Sequence, residues 1–236
     1  MNIALIIAGG SGQRMKQDIP KQFLNVNDVP VIIYTLEAFQ KHVDIDVIAV
    51  VCIEGWEHML SAYARQFNIT KLKHVICGGD CGQESIRNGI KELEKFYASE
   101  DLVLVHDAIR PMVSQEIISD CIVKTRKYGS AIATIPCAEA MLIIDEEETS
   151  RKAYPRSELK RTQTPQGFSL GRLLDMHERA KAKGITNSIA SCTLAVELGD
   201  SVALSLGSEK NIKLTTTEDI EIFKALLMAK KSDWLK

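Results

Sequence analysis

The chain has little net charge, no long apolar run and no pairing pattern among its cysteines, and each shortage removes a class of function. Lys and Arg number 29 against 31 Asp and Glu, a formal charge of −2 over 236 residues. A general nucleic-acid binder needs a basic face, so only a local cationic pocket stays open. No apolar stretch reaches membrane-spanning length, which argues against a membrane partner. Met1-Asn2 leads straight into a strand-like run without a basic leader or cleavage site, so a cytoplasmic protein is expected. Six cysteines are scattered at Cys52, Cys77, Cys81, Cys121, Cys137 and Cys192 and read as small buried hydrophobes. Cys77 and Cys81 have the wrong spacing for a zinc knuckle and no second pair to complete one. Repeats, low-complexity tracts and linkers are missing too. At 45% apolar and 25% charged residues, the composition is that of a globular protein with one large core. One domain over residues 1–236 with a protruding arm is expected.

What is present is concentrated at the start. Residues 3–7 (IALII) form an apolar run short enough for a buried strand. Ala8, Gly9, Gly10, Ser11, Gly12, Gln13 and Arg14 follow, then Pro20-Lys21-Gln22-Phe23-Leu24. Glycines let backbone N–H groups approach an anion closely, because no Cβ stands in the way. Arg14 and Lys21 add full charges, which suits a polyphosphate. A Walker loop needs Lys-Ser/Thr after its last glycine, where this chain has Gln13-Arg14; a dinucleotide fingerprint needs glycine at Met15 and an acid some 20 residues on. Both are excluded, and a loop gripping a nucleoside triphosphate remains.

Strand-like and helix-like segments then alternate. Helices are predicted over residues 30–40, 56–67, 85–96 and 116–127, and strands over 47–53, 73–77, 102–105 and 130–135. This order predicts an α/β fold with a mainly parallel sheet covered by helices on both faces. Residues 136–161 break the pattern and carry the acidic turn 145–148, which reads as a two-stranded arm with a solvated tip. Helices follow over 170–183, 189–198 and 218–230, with a strand over 202–206. In open α/β sheets ligands sit beyond the carboxyl ends of the strands, which selects the loops 8–21, 78–85 and 107–111. Asp107 and Arg110 in the last of these fit a local ion pair as well as they fit a hydroxyl or Mg²⁺ held by Asp107 with a phosphate on Arg110.

Five segments occur together: AGGSGQRM…PKQFL, GGDCGQES, VLVHDAIRP, KRTQTPQGF and NIKLTTTEDI. In this order the chain resembles the cytidylyltransferases that make CDP-alditols, the family of the 2-C-methyl-D-erythritol 4-phosphate and ribitol-5-phosphate enzymes. The resemblance covers essentially the whole chain. It implies a Rossmann-like nucleotidyltransferase fold, CTP as co-substrate with Mg²⁺, and a homodimer joined by the arm. It assigns Ala8, Gly9, Gly10 and Gly12 to the CTP cradle, and Gly79, Asp80 and Ser85 to the cytosine and ribose. Arg14, Lys21 and Lys213 surround the triphosphate and reacting phosphorus. Asp107, Arg110, Thr164, Thr186 and, from the partner's arm, Arg156 hold the alditol phosphate, with Asp107 also a candidate for the metal, which is carried mainly by the triphosphate.

Two departures lie on the acceptor side. A threonine hydroxyl that meets the substrate phosphate in the methylerythritol enzymes is lost at Ala140, and their Thr-Asp-Asp/Glu becomes Thr186-Asn187-Ser188. Both suggest a pentitol phosphate acceptor, for surface polysaccharide or teichoic-acid-like polymers, with methylerythritol phosphate as the rival. A sugar-1-phosphate nucleotidyltransferase is disfavoured by PKQFL and QTPQ. A non-catalytic nucleotide binder is expected to lose Arg14, Lys21 or Lys213, and all three are present.

Overall fold

The computed structural model describes residues 1–10, 19–145 and 149–231. From the N-terminus, β1 (Asn2–Ala8) is followed by a short hairpin of β2 (Asn25–Val26) and β3 (Val29–Pro30), then α1 (Val31–Lys41), β4 (Val47–Cys52), α2 (Glu57–Gln66), β5 (Leu72–Cys77), α3 (Gly82–Leu93) and β6 (Leu102–Asp107). The second half runs α4 (Gln115–Tyr128), β7 (Ser130–Pro136), β8 (Met141–Ile143), β9 (Lys152–Tyr154), β10 (Lys160–Ser169), α5 (Leu170–Ala182), α6 (Ser191–Glu197), β11 (Leu204–Leu206) and α7 (Thr217–Lys231). Local chemistry sets several ends. Ser114 and Ser169 accept hydrogen bonds from the first-turn amides of α4 and α5, and Gly129 closes α4 at φ 77°, a conformation glycine adopts without a Cβ penalty.

The seven-stranded sheet has the order β11-β7-β10-β6-β1-β4-β5. Strands β6, β1, β4 and β5 run parallel, as does β11 beside β7, while β10 is antiparallel to both β6 and β7. Alternation along the strands sends side chains to two cores, because successive Cβ atoms point to opposite faces. Ala4, Ile6, Ile48, Val50 and Leu104 pack with α1, α2 and α4 on one face. Ile3, Leu5, Ala49, Val51, Val103 and Val105 pack with α3, α5 and α6 on the other. Helices therefore cover both faces, as the alternating pattern predicts.

Sequence periodicity missed β10. Its ten residues, KRTQTPQGFS, contain Pro165 and a run of polar side chains, so they do not read as a sheet strand. The strand is inserted between two parallel neighbours, where Gln163 and Pro165 to Phe168 are buried. Its register against β7 shifts between Thr162 and Gln166, and such an irregularity re-aims side chains. Three boundaries also move. Helix α3 starts at Gly82, so Ser85 lies inside it; β11 is only three residues long; and the arm is shorter than 136–161, because Pro136 closes β7 and Lys160 opens β10. Residues 146–148 of the acidic turn lie outside the described residues; Asp145 accepts from the Thr149 amide at 2.9 Å.

Candidate active site

Strands β1, β4, β5 and β6 end at Ala8, Cys52, Cys77 and Asp107, and their carboxyl ends open onto one cleft of about 690 Å³. The central strand β1 has β4 on one side and β6 on the other. That is a switch point, where successive connections leave in opposite directions and ligands are received.

One wall is built from the loops after β1 and β5. A Cβ at Gly78 would lie 3.3 Å from the Gly9 Cα and 3.2 Å from the Cys52 carbonyl oxygen, and one at Gly9 would lie 2.9 Å from Ser85 Oγ. The two loops thus pack backbone to backbone, which only glycine permits at this separation. Among the described residues, nothing lies within 4 Å of a Cβ added at Gly10. Ser85 is buried, and its Oγ accepts from the Gly79 amide at 3.1 Å, so this hydroxyl shapes the loop. Asp80 is exposed at the rim, its amide bonded to Glu84 Oε2 at 2.9 Å. Gln22, 1% exposed, donates from Nε2 to the Ala8 carbonyl at 2.7 Å and the Gly10 carbonyl at 3.1 Å. It holds the backbone that follows β1, and Lys21 beside it lines the cleft. Gly12 and Arg14 lie outside the described residues.

The floor centres on Asp107. Arg110 donates from Nε to Oδ2 at 2.9 Å, and the Lys213 ammonium lies 3.2 Å from Oδ1. Burial pushes the Asp107 carboxyl up, but Lys213 and then Arg110 outweigh it and hold the carboxyl below its ordinary range. Both oxygens already face cations, so this carboxylate does not fit the part of a direct metal ligand. Among the described residues, no three His, Cys, Asp or Glu side chains gather into a metal-binding group.

Behind Asp107 runs a continuous hydrogen-bond chain. The Asp107 amide donates to Thr164 Oγ1 at 3.0 Å, the Thr164 hydroxyl donates to His106 Nδ1 at 3.0 Å, and His106 Nε2–H donates to the Arg110 carbonyl at 3.3 Å. His106 is fully buried, and burial drives its ring down to about 3, so it is neutral. A neutral ring with both nitrogens committed is structural. The Thr164 hydroxyl faces the same chain.

Lys213 reaches Asp107 because three polar side chains tie its loop down. Arg110 Nη1 donates to the Asn211 carbonyl at 2.8 Å, and the Leu214 amide bonds the Ile109 carbonyl at 2.9 Å. Gln163 Nε2 donates to the Ser208 carbonyl at 2.9 Å, and Asn211 Nδ2 to the Thr164 carbonyl at 2.8 Å. Gln166 plays the same part for α6, its Oε1 accepting from the Cys192 amide at 2.9 Å. Gln22, Gln163, Gln166 and Asn211 were not singled out from sequence, although they stand inside PKQFL, QTPQ and NIKLT; a buried amide reveals its role only through its partners.

Ala8, Gly9, Gly10, Lys21, Gly79, Asp80, Ser85, Asp107, Arg110, Thr164 and Lys213 therefore line one cleft. Two expected residues do not. Thr186 is exposed and lines a separate, smaller cavity beside α3. Arg156 sits on the arm, where its Nη1 donates to the Ala138 carbonyl at 2.8 Å.

The family model described as IspD, 2-C-methyl-D-erythritol 4-phosphate cytidylyltransferase, matches residues 2–229. A ribitol-5-phosphate cytidylyltransferase of Lacticaseibacillus paracasei is 42% identical over 233 residues, covering 98% of this chain and 100% of its own length. A 2-C-methyl-D-erythritol 4-phosphate cytidylyltransferase of Clostridium botulinum is 35% identical over 227 residues, covering 96% and 97%. The solved 4-diphosphocytidyl-2C-methyl-D-erythritol synthase of Anaerococcus prevotii matches with a TM-score of 0.81 at 26% identity, over 96% of this chain and 98% of that one. The Rossmann-like nucleotidyltransferase fold expected from the sequence is the one observed.

Proposed function

Since the chain belongs to the IspD family of cytidylyltransferases, we propose that it transfers CMP from CTP to ribitol 5-phosphate or a similar pentitol phosphate, giving a CDP-alditol and pyrophosphate. The observation that carries the chemistry is Asp107 held between Arg110 and Lys213 on the floor of a cleft whose opposite wall is a glycine-lined backbone. In the reaction, a phosphate oxygen of the acceptor forms a bond to the α-phosphorus of CTP. The bond from that phosphorus to the bridging oxygen breaks, and the electron pair leaves on pyrophosphate. The nucleophile is already ionised near neutral pH, its second pKa being about 6, so no general base is needed. The protein's work is alignment and charge neutralisation as negative charge builds during transfer.

Residues take their roles from their partners. The Gly9–Gly10 backbone and Lys21, with Arg14 and Gly12, receive the triphosphate; Gly79, Asp80 and Ser85 frame cytosine and ribose. Lys213 has three ammonium hydrogens and gives one to Asp107, which leaves two for phosphate oxygens. Arg110 and Asp107 receive the acceptor, with Thr164 orienting Asp107. A divalent cation, Mg²⁺ in the family resemblance, would be carried by the nucleotide and would supply countercharge beside Lys21 and Lys213. The arm joins two subunits and brings Arg156 to the partner's cleft. In support, Met141, Leu142, Ile143, Ile144 and Tyr154 all present exposed apolar surface on it. The proposed setting is the cytoplasm; no helix among the described residues is long and apolar enough to cross a membrane.

The pentitol acceptor rests on the 42% identity to a ribitol-5-phosphate enzyme against 35% to a methylerythritol one, and on Ala140. The test is pyrophosphate release from CTP with ribitol 5-phosphate, related pentitol phosphates and 2-C-methyl-D-erythritol 4-phosphate side by side. A higher kcat/KM for ribitol 5-phosphate is expected. Preference for the methylerythritol substrate moves the protein to isoprenoid synthesis, and no release with any acceptor overturns the activity.

A further inference from the structure

A cavity of about 210 Å³ lies beside the cleft, between the start of α3 and the outer face of α5. Cys81, Glu84, Arg87, His177, Lys181 and Thr186 contribute to its wall. His177 is only 3% exposed, yet among the described residues neither ring nitrogen has a hydrogen-bond partner. Leaving a buried imidazole unpaired is costly, so the cavity calls for an occupant with polar atoms. An apolar ligand would leave the ring unpaired. A metal cation would face Arg87 and Lys181. Arg87 is paired with Glu84 at 2.8 Å, Glu178 beside His177 is 3.1 Å from Lys91, and Lys181 supplies the remaining positive charge.

We propose that this cavity binds a small oxyanion, phosphate or carboxylate, through the His177 ring and the Lys181 ammonium, at a place separate from the nucleotide cleft. The ring is neutral because burial and then Arg87 push it down to about 4, so one nitrogen carries a proton to donate. The volume accommodates several times the space of a water, about 30 Å³. The site also reaches the cleft. Cys81 lines both cavities, and its Sγ caps α3 by accepting from the Glu84 amide while lying 3.5 Å from the Thr186 carbonyl. Gln83 bridges the Ile185 carbonyl and the Ser188 amide, each at 2.7 Å. An anion on His177 thus steadies the segment that follows Gly79 and Asp80.

The test needs no turnover. Orthophosphate, and in a second series acetate, is titrated into the full-length protein already saturated with CTP, and the His177 ring is followed by NMR. CTP fills the nucleotide side of the cleft, and Lys181→Ala separates a signal from this cavity from phosphate held on the acceptor side, because Lys181 lines this cavity and not the cleft. Movement of the His177 resonances is expected, with at least about tenfold weaker binding in Lys181→Ala, an exposed position that keeps the fold. Response to one anion only identifies which oxyanion the site takes. A ring that neither anion moves, or an undiminished response in Lys181→Ala, overturns the proposal.

Discussion

At the floor of the cleft, Asp107, Arg110, Gln163, Thr164 and Asn211 are joined by hydrogen bonds that reach as far as the 106-residue separation of Lys213 from Asp107. In the arm, β8 and β9 form their own two-stranded sheet, and every residue of both strands is exposed. The floor has its geometry before substrate arrives, because each of these side chains is already held by at least one other group. An isolated two-stranded hairpin is marginal in water, so the arm needs a surface to lie on. The same chain thus builds one part of its proposed site from within, while the other part depends on the proposed contact with a second copy.

The largest expected effect comes from removing charge at the rigid end. Lys21→Ala and Lys213→Ala should each lower turnover by at least ~100-fold, the scale for losing a preorganised donor to developing charge. Near-normal turnover in a folded variant would take that lysine out of the chemistry. The arm is tested by mixing inactive proteins. If Arg156 serves the partner's cleft, an Arg156→Ala and Lys21→Ala mixture regains one intact site per heterodimer, about a quarter of wild-type activity for random exchange. Exchange demonstrated without recovered activity would confine Arg156 to its own subunit.

Smaller effects measure how tightly the floor is tied. Gln163→Leu leaves partners at Ser208 and Asn211 unpaired, and should cost about 1–3 kcal/mol of stability by denaturant unfolding. It should also raise KM as Lys213 loses its anchor; an unchanged midpoint and KM would show that the clamp is redundant. His106 is the finest probe. Its folded pKa, about 3, lies below the unfolded value of 6.5, so on acidification the unfolded chain takes up a proton that the native ring refuses. Stability should therefore fall by about 1.4 kcal/mol per pH unit from this residue between pH ~6.5 and ~3. Asp107, held low, adds a loss only below the ordinary aspartate range. His106→Gln should flatten the first slope; an identical pH–stability curve would refute the assignment.

Much of this architecture is legible in residue pattern. IALII, VIAVVC and LVLVHD read as buried parallel strands because both their faces are covered, and each ends at a loop of the cleft. Strand β10 was not legible, since Gln163 and Gln166 look like surface residues until their partners on the Ser208–Asn211 turn and α6 are known. The position of Thr186 was hidden for a related reason: it follows α5 closely in sequence, but Cys81 and Gln83 hold residues 185 and 186 beside the start of α3.

The sequence by itself determined the alternation of strands and helices and the family, because these depend on short-range periodicity and on motifs of fixed residue type and order. Tertiary structure alone decided that both Asp107 oxygens face cationic side chains, that His106 is locked neutral, and that His177 is buried without a hydrogen-bond partner among the described residues. Each of those states depends on burial and on groups distant in the chain, and neither desolvation nor a long-range hydrogen bond leaves a local mark in the sequence.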